Sequence, residues 1–153
     1  MAAGDVTVFE EFVLSLGSET HDFANDVFKL GLIDAVVTPT AADATPRWGA
    51  GSGVDYDANE VSTAGGYTAG GETIGSTTWT EADGVATFDG ANISLAQNGS
   101  GFTDARWGII YNETATNNEA IAFVDLGAAI SEQAGAVAIN WSDSPSAIFT
   151  ISD

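Results

Sequence analysis

The residues with the most suggestive spacing for chemistry are Asp55, Asp57, Asn59 and Glu60. Side-chain oxygens at alternating positions form a donor set for a hard cation such as calcium. The run lacks the glycine and the distal bidentate Glu of an EF-hand loop. It is a calcium candidate without that signature, and no metal or cofactor is assigned. His21, the single His, lies in the polar stretch SETHD. A catalytic triad needs a base beside its nucleophile, but flanking carboxylates mark His21 as a solvated surface residue. One His and no Cys provide no zinc ligand set. Glu10 and Glu11 fall on the polar side of a helical pattern. No pair of carboxylates is placed by sequence across a sugar cleft, as a glycosidase requires. The Gly-rich runs at 51–53 and 69–71 lead into no helix with a Lys, so they read as turns and not phosphate cradles. No catalytic residue is assigned, and the chain is expected not to be an enzyme.

Composition explains why partners for the carboxylates are scarce. The 153 residues include 22 Asp and Glu against 3 Lys and Arg, for a formal net charge of -19. The cations are Lys29, Arg47 and Arg106. A nucleic-acid binder must neutralise phosphates with cations, so that role is excluded, and anionic membrane surfaces are disfavoured. The field suits solubility, a basic partner surface or divalent cations. Hydrophobic residues reach 44%, enough for a packed core. The length fits one domain, residues 1–153. The N-terminus has no basic and apolar signal-peptide pattern. Tripeptides beginning at Asn92, Asn98, Asn112 and Asn140 match the glycosylation acceptor, a frequent coincidence in a Gly/Thr/Asn-rich chain. No apolar run is long enough to span a bilayer.

The elements that position these residues are mostly strands. Phe9, Phe12, Val13 and Leu16 recur at i, i+3, i+4, i+7, which predicts a short amphipathic helix over about 8–16, with Gly17 as its stop. From 26 onward, period two takes over: Phe28, Leu30 and Leu32 share one face of a strand. Residues 38–59, bracketed by Pro39 and Pro46, read as a long surface excursion with at most one short strand. Strands follow at 72–80, 85–95, 105–111, 120–127, 137–141 and 148–151. Asp83-Gly84 carries the type I′ hairpin signal, and Asn98-Gly99 and residues 116–118 mark further turns. Turn signals every eight to twelve residues predict a mainly all-β fold, an antiparallel β-sandwich or barrel-like domain with one N-terminal helix. Small residues at Gly31, Gly108, Ala136 and Ala138 suit either close internal packing or the approach of another subunit.

Three of the four Trp lie in strand patterns, where burial is the default. Trp48 lies in the excursion and is the candidate for an exposed contact. Phe9 and Phe12 on the helix, and the rare cations Arg47 and Arg106, complete the partner-contact candidates, since Arg is enriched at interfaces.

The order of motifs resembles small structural proteins encoded by tailed bacteriophages. The matching motifs are FKLGLID at 28–34, VVTPT at 36–40, GYTAGG at 66–71 and a Trp-bearing strand. They continue with V-x-T-F-D at 85–89, ARW-x-II-YN at 105–112, AI-x-FVDLG at 120–127 and I-x-W…IF-x-I at 139–151. The acidic insertion around 47–59 departs from that pattern. The resemblance implies a virion component without enzymatic activity, most like capsid decoration (cement) proteins. Such a protein sits on the outer capsid surface, binds the major capsid protein and forms a homo-oligomer, with a trimer favoured. The alternative is a tail or fibre-associated protein that binds a host glycan through Trp48 and Gly-rich loops. An acidic glycoside-processing enzyme is a third, poorer fit.

Overall fold

A computed structural model describes residues 4–49, 53–141 and 147–152. The fold is all-β with antiparallel sheets, sandwich-like, with one short helix. The strands are β1 (Val6–Val8), β2 (Phe28–Ile33), β3 (Glu72–Thr73), β4 (Thr78–Ala82) and β5 (Val85–Asp89). They continue with β6 (Ile93–Leu95), β7 (Ala105–Asn112), β8 (Ala120–Ile130), β9 (Val137–Ile139) and β10 (Phe149–Ser152). The helix α1 spans Glu10–Leu16. A five-stranded sheet has the order β1-β8-β7-β2-β3, a three-stranded sheet the order β10-β5-β4, and β6 pairs with β9. No helix among the described residues is long and apolar enough to cross a membrane.

Register decides which side chains meet. Phe28, Leu30 and Leu32 oppose Asn112, Ile110 and Gly108 across the β2–β7 ladder. That face meets the three-stranded sheet, where Trp79, Phe88 and Phe149 form one cross-strand row. Phe28 and Phe88 lie 5.1 Å apart, edge to face. Phe23, in the turn after α1, stacks on Trp79 at 4.5 Å and on Phe28 at 4.9 Å. The opposite face of β2 carries Lys29, Gly31 and Ile33, paired with Tyr111, Ile109 and Trp107.

Residues 38–49 and 53–59 cover that second face, and here the expectation of a surface excursion over 38–59 is corrected for the described residues. Pro46, Trp48 and Tyr56 are buried. The chain zips against the start of β8, with Trp48 N donating to Asn118 O (3.0 Å) and Ala120 N to Pro46 O (2.9 Å). The sequence shows no period here because the segment is ordered by aromatic anchors and isolated bridges rather than a strand. Gly31 and Gly108 also find internal use. A Cβ at Gly31 would fall inside the Trp48 ring, and one at Gly108 would press on Leu30.

The helix starts later than expected. Val6, Thr7 and Val8 are β-branched and pair with Val124, Phe123 and Ala122, so the residues before α1 form a strand. Phe9 becomes the N-cap, and Glu10 and Glu11 occupy the first turn, where negative charge suits the helix dipole. The expected hairpin turn is present, with positive φ at both Asp83 (52°) and Gly84 (80°), as type I′ requires.

Candidate functional site

The partner-contact candidates divide by burial. Phe9 and Phe12 are fully buried: Phe9 packs on Tyr56 and Phe123, and Phe12 on Phe149 and Phe23. Neither presents a surface to a partner in this fold, which corrects that expectation. Trp48 is corrected too. It is 4% exposed and stacks on Tyr111 at 5.3 Å with the rings 3° from parallel.

Arg106 is engaged through its side chain, whereas Arg47 is engaged through its backbone and its buried Nε has no hydrogen-bond partner among the described residues. Arg47 donates its backbone N–H to Val54 O and accepts from Tyr56 N. Desolvation pushes the Glu119 carboxyl up, but hydrogen bonds, chiefly from Asn117, hold it below the usual range, with a lesser contribution from the Arg47 charge. Arg106 forms an ion pair with Asp125 and lies 4.1 Å from the centre of the Trp107 ring. The hydrogen bond from Arg106 holds the Asp125 carboxyl low. Lys29, the third cation, pairs with Glu113.

Of the calcium candidates, Asp55 and Asp57 lie side by side, while Glu60 and Asn59 are engaged elsewhere. Asp55 Oδ1 accepts from Gly49 N (2.7 Å) and Asp57 N (3.3 Å). Glu60 Oε1 turns away, accepting from the Tyr67 hydroxyl (2.9 Å) and Gly70 N (2.8 Å). Asn59 accepts from Asp34 N through its backbone carbonyl. Partial desolvation and the neighbouring Asp55 charge push the Asp57 carboxyl up. Among the described residues, no three acidic or His side chains gather as a metal cage.

His21 is half-buried rather than solvated, and sequence reasoning missed its neighbours. Nε2 lies 2.9 Å from Ser15 Oγ, and Nδ1 lies 3.1 Å from Asn112 Nδ2. The grouping has the outline of a Ser-His dyad, but its proton order runs the other way. Asn112 Oδ1 accepts from Thr114 N and Ala115 N, which fixes the amide with its NH₂ toward His21 and Asp26. Nδ1 of His21 therefore accepts, and Nε2 carries the proton. Nε2–H donates to Ser15 Oγ, whose own proton goes to Phe12 O (2.8 Å). Nε2 has no lone pair with which to deprotonate Ser15. The chain of bonds ties α1 to the end of β7.

This arrangement gives a pH prediction. Burial lowers the His21 pKa from 6.5, against the opposing pull of the Glu119 and Asp26 carboxylates. A lowered folded-state value means the unfolded chain binds the proton first as pH falls. The contribution is full above about 6.5 and is lost as pH falls through the folded value. Urea midpoints should therefore decline from about pH 7.5 to 5.5 in the native chain, and the decline should be shallower in His21→Asn.

One fully buried carboxylate stands apart. Glu132 accepts from Gly66 N at 2.7 Å through Oε1, while Oε2 has no partner. Gly65, Gly66 and Gly101 close around it, and a Cβ at any of them would collide with it. It tethers the 65–66 loop to the turn after β8.

The exposed apolar side chains that sequence reasoning missed include two on α1, besides Val27 and Val36 around β2. Val13 is 57% exposed and Leu14 77% exposed. Val13 had the phase of a buried position, but a two-turn helix anchored through Phe9 and Phe12 buries a narrower stripe. Leu14 adjoins Glu10, Glu11 and residues 42–44 across a shallow depression. Comparison with protein-family models, with curated proteins and with solved structures returns no match for this chain.

Proposed function

We propose that this chain is a bacteriophage capsid decoration (cement) protein. In this reading it binds the outer surface of the major capsid protein shell as a small homo-oligomer, with a trimer favoured, and stabilises the shell. The observation that carries the reading is the outer face of α1. Leu14 is left open to solvent among Glu10, Glu11 and Asp43, and Val13 is exposed on the same helix. An apolar centre with a polar rim is the composition of a protein contact. The helix behind it is held rigid by Phe12 and by the Ser15–His21–Asn112 bonds. The motif order along the chain supports the virion assignment, and the net charge of -19 suits basic residues on a shell surface. Each contact is modest, and stabilisation sums over many copies.

The alternative, glycan binding at Trp48, loses its platform because that ring is buried against Tyr111.

The test uses purified shells that lack the chain. Val13→Asp with Leu14→Asp is expected to change unfolding free energy by no more than about 0.5 kcal/mol per site, as for exposed positions. The same pair of changes should weaken shell binding by about tenfold or more. Unchanged shell binding by this variant would remove the helix face from the account.

A further inference from the structure

Lys29 and Arg106 pair with Glu113 and Asp125. Arg47, the remaining cation, forms no ion pair among the described residues, and its buried Nε has no hydrogen-bond partner there. A desolvated guanidinium nitrogen without a partner is unfavourable and calls for a function. The fold nevertheless fixes where this residue sits. Arg47 N donates to Val54 O (2.9 Å), and Tyr56 N donates to Arg47 O (3.0 Å). The buried Pro46 and Trp48 flank it.

Arg47 lines a pocket of about 170 Å³ between α1 and the start of β8. Glu11 and Glu119 line the same pocket without coming within ion-pair distance of Arg47. Both carboxylates are held in place. Glu119 accepts from Asn117 N (3.3 Å) and Asn117 Nδ2 (2.9 Å), and Glu11 Oε2 accepts from Thr45 N (2.6 Å). Each carboxylate keeps further lone pairs for another donor. The Ser18 and Thr20 hydroxyls, 3.0 Å apart, also line the pocket.

We propose that this pocket binds a small zwitterion of the α-amino acid class. The carboxylate of the amino acid meets the Arg47 guanidinium, whose planar fork suits two carboxylate oxygens. Its ammonium group meets Glu11 and Glu119. A simple anion would confront two carboxylates, and a simple amine would leave the guanidinium unmatched. A ligand that is neutral overall also escapes the long-range repulsion that a chain of net charge -19 exerts on anions. Size agrees with this class. A cavity of about 150 Å³ holds a benzene-sized molecule, so the pocket admits an amino acid with a small side chain.

The experiment is isothermal titration of the full chain with glycine, L-alanine and L-serine. At least one should bind saturably with a Kd of about 1 mM or tighter. Acetate and ethylamine each carry one of the two charges and should bind about tenfold or more weakly than the best amino acid. Arg47→Met keeps the apolar stem and removes the charge. Glu11→Gln keeps the shape and an oxygen for Thr45 N. Each should weaken amino acid binding about tenfold or more. Arg47→Met orphans no hydrogen-bonded group, so its urea midpoint should stay close to that of the native chain. If it fails to fold, Glu11→Gln and the acetate comparison decide. Absence of binding by all three amino acids overturns the proposal and leaves the pocket to water. Acetate binding as tightly as the amino acids would make it a plain anion site and overturn it too, as would indifference to both substitutions. The titration contains no shell, so this inference and the helix-face reading can fail separately.

Discussion

Replacing Trp48 with alanine is expected to lower the unfolding free energy by about 3–5 kcal/mol, the range for a large aromatic removed from a core. The ring lies parallel to Tyr111 and directly over Gly31 in the middle of β2. Removing it opens that second face of the sheet. The converse change shows that the contact is specific. Gly31→Ala places a methyl inside the space of the Trp48 ring and should cost about 1–3 kcal/mol or more. In a Trp48→Ala background the same Gly31→Ala has room and should cost much less. Equilibrium urea unfolding of the four chains measures this coupling. Additive losses would mean that the ring does not sit over Gly31.

Phe23→Ala carries the second large effect, also about 3–5 kcal/mol. Phe23 belongs to no strand or helix, yet its ring joins four elements. It stacks on Trp79 of β4, contacts Phe28 of β2 and meets Phe88 of β5 edge-on at 5.0 Å. It also faces Phe12 of α1. Its loss should loosen the contact between the two larger sheets as well as the helix. The near-ultraviolet signal of Trp79 should change, and thermal unfolding should broaden if the sheets separate first. Phe23→Leu should recover part of the loss, because it retains apolar volume but no ring stacking.

The strands were legible because their signals are local. Alternation at Phe28, Leu30 and Leu32 and the Asp83-Gly84 turn each arise within a few residues, and both appear in the structure. The long middle segment was not legible. Trp48 and Tyr56 are core residues by virtue of Tyr111, Phe9 and Gly31, which lie far away in the chain. Charge and glycine content suggested solvent, and tertiary packing overrode them. His21 was misread in the same way. Its polar neighbours in sequence suggest exposure, while its bonding partners Ser15 and Asn112 come from α1 and β7. Among the α1 residues, Phe12 followed the helical period, but Val13 did not, because a helix of two turns buries little beyond its anchors. The scarcity of cations could be read directly from the sequence. That Lys29 and Arg106 would pair with Glu113 and Asp125 within the fold could not.

The most direct test of the central claim is subnanometre imaging of the particles that incorporate this chain. The account predicts density for an all-β domain on the outer face of the shell, with Val13 and Leu14 of α1 against the major capsid protein. Density for the domain on the tail, with the shell surface bare, would contradict it.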